Sequence, residues 1–213
     1  KGVGFELDGV GNELTGVADI QGLRFRTPGL GGQVWGKLGA SVTNMAAGEI
    51  FAALQSGTLD AAEFVGPYND LALGFYQIAK NYYFPSFVEP GLATEVVVSK
   101  AKFQALPEDL QEIVRVCAQA SYDDVAADMY ANDPRALNAL VSEHGVQVRR
   151  FPEEILEAGA KASMELIGEI REGGDPLTKK VAESFVAGFN LLRQRTEGTD
   201  MPYLAAREKY IKY

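Results

Sequence analysis

Histidine and cysteine are almost missing from this chain of 213 residues, which holds one of each, His144 and Cys117. A zinc site of the usual kind draws its ligands from several such side chains and is excluded. One cysteine closes no disulfide within the chain, so cysteine usage leaves the redox compartment open. Cys117 falls in a helical apolar pattern and reads as a buried, inert thiol rather than a nucleophile. His144 stands in Ser142-Glu143-His144-Gly145, which reads as a helix C-terminus, where a cation is favoured and glycine caps. Basic residues are also in short supply, 20 against 29 acids, for a net charge of −9. The basic footprint that nucleic acid and anionic membranes require is absent. No run of eighteen apolar residues exists to span a membrane. The start, Lys1-Gly2-Val3-Gly4-Phe5, has no charged-then-apolar leader, so an export signal, if one is used, is expected to have been removed or to lie outside this sequence. Catalytic signatures are missing too: no Gly-x-Ser-x-Gly, no supported Cys/His pair and no metalloprotease helix motif.

What is present is the make-up of a soluble globular protein, 46% hydrophobic and 23% charged, enough for one large domain or two small lobes. Over the first hundred residues, strand-like pieces (3–7, 23–27, 41–45, 59–65, 92–98) alternate with helix-like ones (30–39, 47–56, 67–79, 100–105). Such alternation predicts βαβ units and a largely parallel sheet. In the second of these helices Ile50, Phe51 and Leu54 share one face. Leu106-Pro107-Glu108-Asp109 then opens a long helical region reaching His144, with an interruption expected at Asn132-Asp133-Pro134. A short strand over 146–151 and two more helices follow, broken at Gly173-Gly174-Asp175-Pro176. The tail from Pro202 to Tyr210 is amphipathic. This divides the chain into an α/β ligand-binding lobe and hinge region (1–105), a long interlobe helix region (106–145), and a strand with C-terminal helices (146–213).

Chemistry concentrates in Leu23-Arg24-Phe25-Arg26-Thr27-Pro28-Gly29-Leu30-Gly31-Gly32. A strand ends in an arginine beside a glycine-rich helix start, and both features favour an anion. The stretch lacks the Lys-Ser/Thr ending of a phosphate loop and the G-x-G-x-x-G pattern, which turns the reading toward a carboxylate. The bland alternative for Arg26 is an internal ion pair with Glu63 or Glu89. Glu63 closes an otherwise apolar strand in Glu63-Phe64-Val65-Gly66-Pro67-Tyr68-Asn69-Asp70 and can offer oxygen to a hard cation, with Phe64 giving an apolar wall or a backbone carbonyl. Asn69 and Asp70 read as helix caps rather than ligand contacts. Asn81 to Gly91 is dense in aromatics, either as core or as pocket lining, and Glu89 within it needs a charged or polar partner.

Two ordered blocks, Asp19 to Pro28 and Gly48 to Glu63, together with Val65-Gly66-Pro67-Tyr68-Asn69-Asp70, Glu89-Pro90-Gly91 and Leu106 to Gln111, resemble the solute-binding protein of tripartite ATP-independent periplasmic (TRAP) transporters. The details look most like the branch that binds 2-oxo acids, lactate and similar monocarboxylates. The resemblance implies an α/β, two-lobed periplasmic solute-binding fold with a long lobe-spanning helix, the N-terminal part of the first lobe being absent from this chain. It implies a receptor, not an enzyme, that hands a small carboxylate to integral membrane TRAP subunits. By resemblance Arg26, Phe64, Glu89 and Glu6 contact substrate. Glu63, Phe64 and Glu89 lie at a sodium or calcium ion. Phe64 stands where a tryptophan is common, and the segment from Glu6 to Glu13 does not match the usual ligand-contacting pair cleanly. Dimers joined by swapped C-terminal helices occur in the branch, and the tail from Phe185 to Tyr210 could serve so. A sensor on the same fold, or an α/β enzyme using Glu63 or Glu89 on an oxo acid, are the other readings.

Overall fold

A computed structural model describes residues 6–8, 13–88 and 95–212, with 6–8 as backbone only. The chain divides into two compact units, Lys1–Ala162 and Ser163–Tyr213.

The first unit is built on a six-stranded sheet. Its strands are β1 (Glu6–Asp8), β2 (Arg24–Arg26), β3 (Ser41–Thr43), β4 (Ala61–Glu63), β5 (Asn81–Phe84) and β6 (Gln147–Arg150), in the order β3-β2-β4-β1-β5-β6. The pairs β2/β3, β2/β4 and β5/β6 are parallel, as helical crossovers demand. The sheet is nevertheless mixed rather than largely parallel, because β1 runs antiparallel to both β4 and β5. Two parallel halves therefore meet through one reversed strand. β5 is a strand where the sequence presents only an aromatic segment: the consecutive Tyr82 and Tyr83 are both buried, so no polar alternation marks it. Of the strand expected over 92–98, residues 92–94 lie outside the described residues and 95–98 join no sheet.

Helices α1 (Gly29–Lys37), α2 (Ala47–Gln55) and α3 (Pro67–Ala72) follow β2, β3 and β4. Ile50 and Leu54 of α2 are fully buried with Leu59, Phe75, Tyr82 and Leu140, and Phe51 packs against that cluster, as its face predicts. Trp35 of α1 joins a second group, 4.8 Å from Phe25, 5.1 Å from Phe87 and 5.9 Å from Phe151 between ring centres. Close packing of α1 on β2 and β3 needs a glycine at 32. A Cβ there would stand 2.9 Å from the Thr27 carbonyl oxygen and 3.0 Å from Val42 Cγ1. Gly32→Ala should cost about 1–3 kcal/mol, read as a lower urea midpoint with an unchanged slope; an unshifted midpoint would show that α1 moves away freely.

After α4 (Lys100–Gln104), α5 runs unbroken over Glu108–Ser142, straight through the expected interruption. Pro134 removes one helical amide. Around it, the Asn132 side-chain amide donates to the Asp128 carbonyl at 3.0 Å, and Ala136 and Leu140 beyond it are anchored in the core. Tertiary packing thus overrides the local penalty. Beyond the last helical residue, Ser142, Gly145 takes a φ of +68°, the left-handed cap expected after His144. The His144 ring stacks on Tyr76 at 3.8 Å. Cys117 is exposed, against the expectation of burial. Its apolar pattern is real, but nothing among the described residues covers that face.

The second unit holds the end of α6 (Glu153–Gly173), α7 (Pro176–Arg195), a π-turn (Thr196–Asp200) and α8 (Met201–Tyr210). Asp175 caps α7 by accepting from the Leu177 and Thr178 amides at 2.8 and 3.2 Å.

Candidate functional site

The site forms where the parallel strands β2 and β4 end. Alternation places Arg24 and Arg26 on one side of β2, yet their fates differ. Arg24 pairs with Asp60 at the exposed edge. Arg26 is only 8% exposed and Glu63, at the end of β4, only 6%. Arg26 Nη1 donates to the Glu63 carbonyl at 2.6 Å and lies 3.9 Å from Glu63 Oε2. Its Nε donates to the Met45 carbonyl at 3.2 Å. The ion pair weighed from the sequence is therefore present, but it is a loose one. Nη2 makes no hydrogen bond among the described residues, so one corner of a rigid, buried guanidinium fork remains available to a ligand oxygen.

Neighbouring groups complete the wall. The Arg26 guanidinium carbon lies 5.9 Å from the Phe64 ring centre, and Phe64 meets Phe75 edge-on at 6.1 Å. Thr27 is buried, with Oγ1 3.5 Å from Glu63 Oε2. Gly29, at φ +61°, turns the chain from β2 into α1 in a conformation that favours glycine. Glu6 lies in β1 directly opposite Glu63 in the sheet register; its side chain is outside the described residues, as is all of Glu89.

The turn after Glu63 is held by contacts from distant elements that the local sequence does not announce. Asn69 and Asp70 form no side-chain cap on α3. The cap comes instead from α5: Asp133 Oδ1 accepts from the Tyr68 amide at 3.1 Å and lies 3.3 Å from where a Gly66 Cβ would stand. Asp70 turns inward, only 2% exposed, where its Oδ2 accepts from the Tyr82 hydroxyl at 2.6 Å. Its Oδ1 is buried with no hydrogen-bond partner among the described residues. Burial, reinforced by the nearby charges of Glu63 and Asp133, pushes the Asp70 carboxyl up to about 8, against the pull of the Tyr82 hydrogen bond. Burial and the Asp70 charge raise the Tyr82 phenol well above its ordinary value, and burial raises Asp133. An aspartate three places after a helix-starting proline looks like a cap in any single sequence. Only the phenol arriving from β5 and the acid from α5 reveal its different role.

No group of three or more His, Cys, Asp or Glu side chains able to hold a metal occurs among the described residues. The donor chemistry at hand, a buried carboxylate with adjacent backbone carbonyls, nonetheless fits a hard cation that completes its shell from ligand oxygens. No helix among the described residues is long and apolar enough to cross a membrane.

Residues 5–173 match bacterial extracellular solute-binding protein family 7, DctP. The monocarboxylate 2-oxoacid-binding periplasmic protein of Nostoc sp. is 36% identical over 175 residues, 82% of this chain and 48% of that one. A TRAP periplasmic solute-binding protein from Pseudoalteromonas atlantica, crystallised with sodium and pyruvate, superposes with a TM-score of 0.88 at 35% identity, over 96% of this chain and 62% of that one. A TRAP solute-binding protein from Bordetella bronchiseptica, a dimer with calcium and picolinate in its occupied site, gives 0.76 at 30% identity, over 95% and 62%. The chain thus spans about half to three-fifths of the length of these relatives.

Proposed function

Because the chain belongs to bacterial extracellular solute-binding protein family 7, the DctP family of TRAP receptors, we propose that it forms the carboxylate-gripping part of a periplasmic receptor for a small monocarboxylate. The ligand is a 2-oxo acid such as pyruvate, or lactate, passed on to TRAP membrane subunits for uptake. The observation that carries this reading is the buried Arg26 fork, anchored through Nη1 and Nε to two carbonyls with Nη2 unclaimed among the described residues. That geometry presents charge to a carboxylate without needing to reorganise. Glu63, the Phe64 carbonyl and Glu89 would hold a sodium or calcium ion that neutralises the ligand oxygens beside Glu63. The Phe64 ring would shield the site, and Glu89 and Glu6 would contact the substrate. The chemistry is binding and release, with no turnover. Calorimetry on the complete receptor with pyruvate, lactate and longer 2-oxo acids, in sodium, in calcium and in chelator, tests it. Saturable one-site heat that needs a cation is the expected result; no heat with any monocarboxylate overturns the reading.

The same reading includes a homodimer through the C-terminal helices. On α7, Leu177, Val181, Phe185, Phe189 and Leu192 form an exposed stripe along an open groove of about 990 Å³, with Phe185 and Phe189 stacked at 6.5 Å. A contiguous apolar stripe on a free surface supports an interface there. Phe185→Asp with Phe189→Asp should convert a dimer to a monomer by light scattering while leaving the helical circular dichroism intact. A wild-type monomer at high concentration would remove the proposal.

A further inference from the structure

The segment from Glu63 to Asp70 crosses from β4 to α3 through Gly66-Pro67, and Pro67 has no amide to donate. Contacts from three other elements hold it. Arg26 of β2 donates to the Glu63 carbonyl at 2.6 Å. Tyr82 of β5 donates to Asp70 Oδ2 at 2.6 Å. Asp133 of α5, 65 residues along the chain from Tyr68, accepts from its amide at 3.1 Å. Within the segment, the Asp70 amide donates to the Gly66 carbonyl at 2.9 Å. The Phe64 carbonyl, one residue past the buried Glu63, accepts no hydrogen bond among the described residues. An acceptor left open in a segment pinned on both sides of it suits a ligand or an ion.

The three outside contacts differ in kind. That of Arg26 belongs to the carboxylate grip, and that of Tyr82 acts on a side chain. Asp133 takes hold of the backbone beyond Phe64 directly. An acceptor at a helix start is ordinarily the N-cap side chain. Here the N-cap is Gly66, which has none, and α3 is only six residues long. Asp133 supplies the acceptor from a helix of 35 residues, whose Ala136 and Leu140 are buried in the core just beyond it. Its Oδ1 and Oδ2 also lie 3.3 and 3.6 Å from where a Gly66 Cβ would stand, so even a methyl group at 66 would crowd it.

We propose that Asp133 is a positioning residue for the cation of the carboxylate site, acting through the Tyr68 amide to fix the turn that carries the Phe64 carbonyl. This role rests on the receptor reading, in which Glu63 and the Phe64 carbonyl hold the ion. Groups that orient the ligands of a metal without touching it change its affinity by about 10–100-fold when removed. The contact needs an acceptor at one place and not a charge. That separates it from the general attraction of one more acid for a cation.

The test compares the complete receptor with its Asp133→Ala and Asp133→Asn variants. Calorimetry gives the cation concentration for half-maximal pyruvate binding, with sodium and calcium each titrated alone, and the pyruvate affinity at saturating cation. Amide exchange at Tyr68, with neither pyruvate nor cation present, reports the anchor itself. We expect Asp133→Ala to raise the cation midpoint at least about tenfold and to speed Tyr68 exchange by a similar factor. Pyruvate affinity at saturating cation should stay within about threefold of wild type. Asp133→Asn keeps Oδ1 as an acceptor and should bring both readings back to within about threefold. Should Asp133→Ala fail to fold by urea titration, Asp133→Glu, which moves the acceptor by one methylene, takes its place with the same expectation. Faster Tyr68 exchange with an unchanged cation midpoint overturns the inference, because the bond then serves the fold alone. An Asp133→Asn receptor as weak for cation as Asp133→Ala also overturns it, since charge rather than position would be at work. A wild type that binds pyruvate without any cation removes the ion and this role together. A wild type that gives no heat with pyruvate or any other monocarboxylate removes the receptor reading itself.

Discussion

Asp70→Asn should remove most of the alkaline loss of stability that the wild-type protein shows. In the folded protein the Asp70 carboxyl holds its proton up to about 8, against an ordinary value of 3.8. Between those values the folded state binds a proton that the unfolded chain has released. Stability therefore falls as pH rises from about 4 to about 8 and levels off above. The limiting slope is about 1.4 kcal/mol per pH unit, and the full effect is on the order of 5 kcal/mol. Asp133, also raised, adds to the decline. The substituted amide would keep an acceptor for Tyr82 and carry no charge at any pH. The urea midpoint of the variant should match wild type near pH ~5 and exceed it clearly at pH ~9. Parallel midpoint curves for the two proteins would mean that Asp70 is ionised in the folded state. Asp19, Asp60 and Asp175 have the opposite sign: hydrogen bonds from Thr15, Arg24 and Thr178 respectively hold them below their ordinary value, so what they contribute is lost as pH falls below about 4.

Arg26→Ala should damage both stability and binding. The substitution takes away the donor to the Glu63 and Met45 carbonyls and the cation beside a buried carboxylate. Breaking a buried pair from one side costs about 3–5 kcal/mol when the pair is tight; at 3.9 Å the lower end applies. On the proposed function, carboxylate affinity should fall about 10- to 100-fold, from the loss of a charge-assisted hydrogen bond worth about 1.5–3 kcal/mol. Arg26→Lys separates the two effects. It keeps the charge but not the planar fork, and should recover stability more fully than affinity. Calorimetry and urea unfolding of both variants decide this. Arg26→Ala binding as tightly as wild type would place the substrate clamp elsewhere.

Much of this arrangement was legible in the sequence, for reasons that differ by element. β2, β3 and β4 sit within their expected ranges, because short apolar runs bounded by Gly, Pro and Asp leave few other choices. The nearness of Arg26 and Glu63 follows from parallel strands that end at the same edge. The role of Asp70 was not legible: capping and burial place the same residue type one turn into a helix, and only contacts from β5 and α5 tell them apart. Pro134 misled for a related reason, since a local rule met a helix anchored on its far side. Cys117 misled in the other direction. Periodicity says that a face is apolar, not what covers it.

Trp35, the only tryptophan, has a spectroscopic consequence. At 1% exposure among Phe25, Phe87 and Phe151, its emission belongs at short wavelength and reports one place: the seat of α1 on the sheet, next to the strand that carries Arg26. A red shift on unfolding follows that junction alone, with no second indole to average it. Any ligand that pulls on the end of β2 changes the signal of a probe already built into the wall behind it.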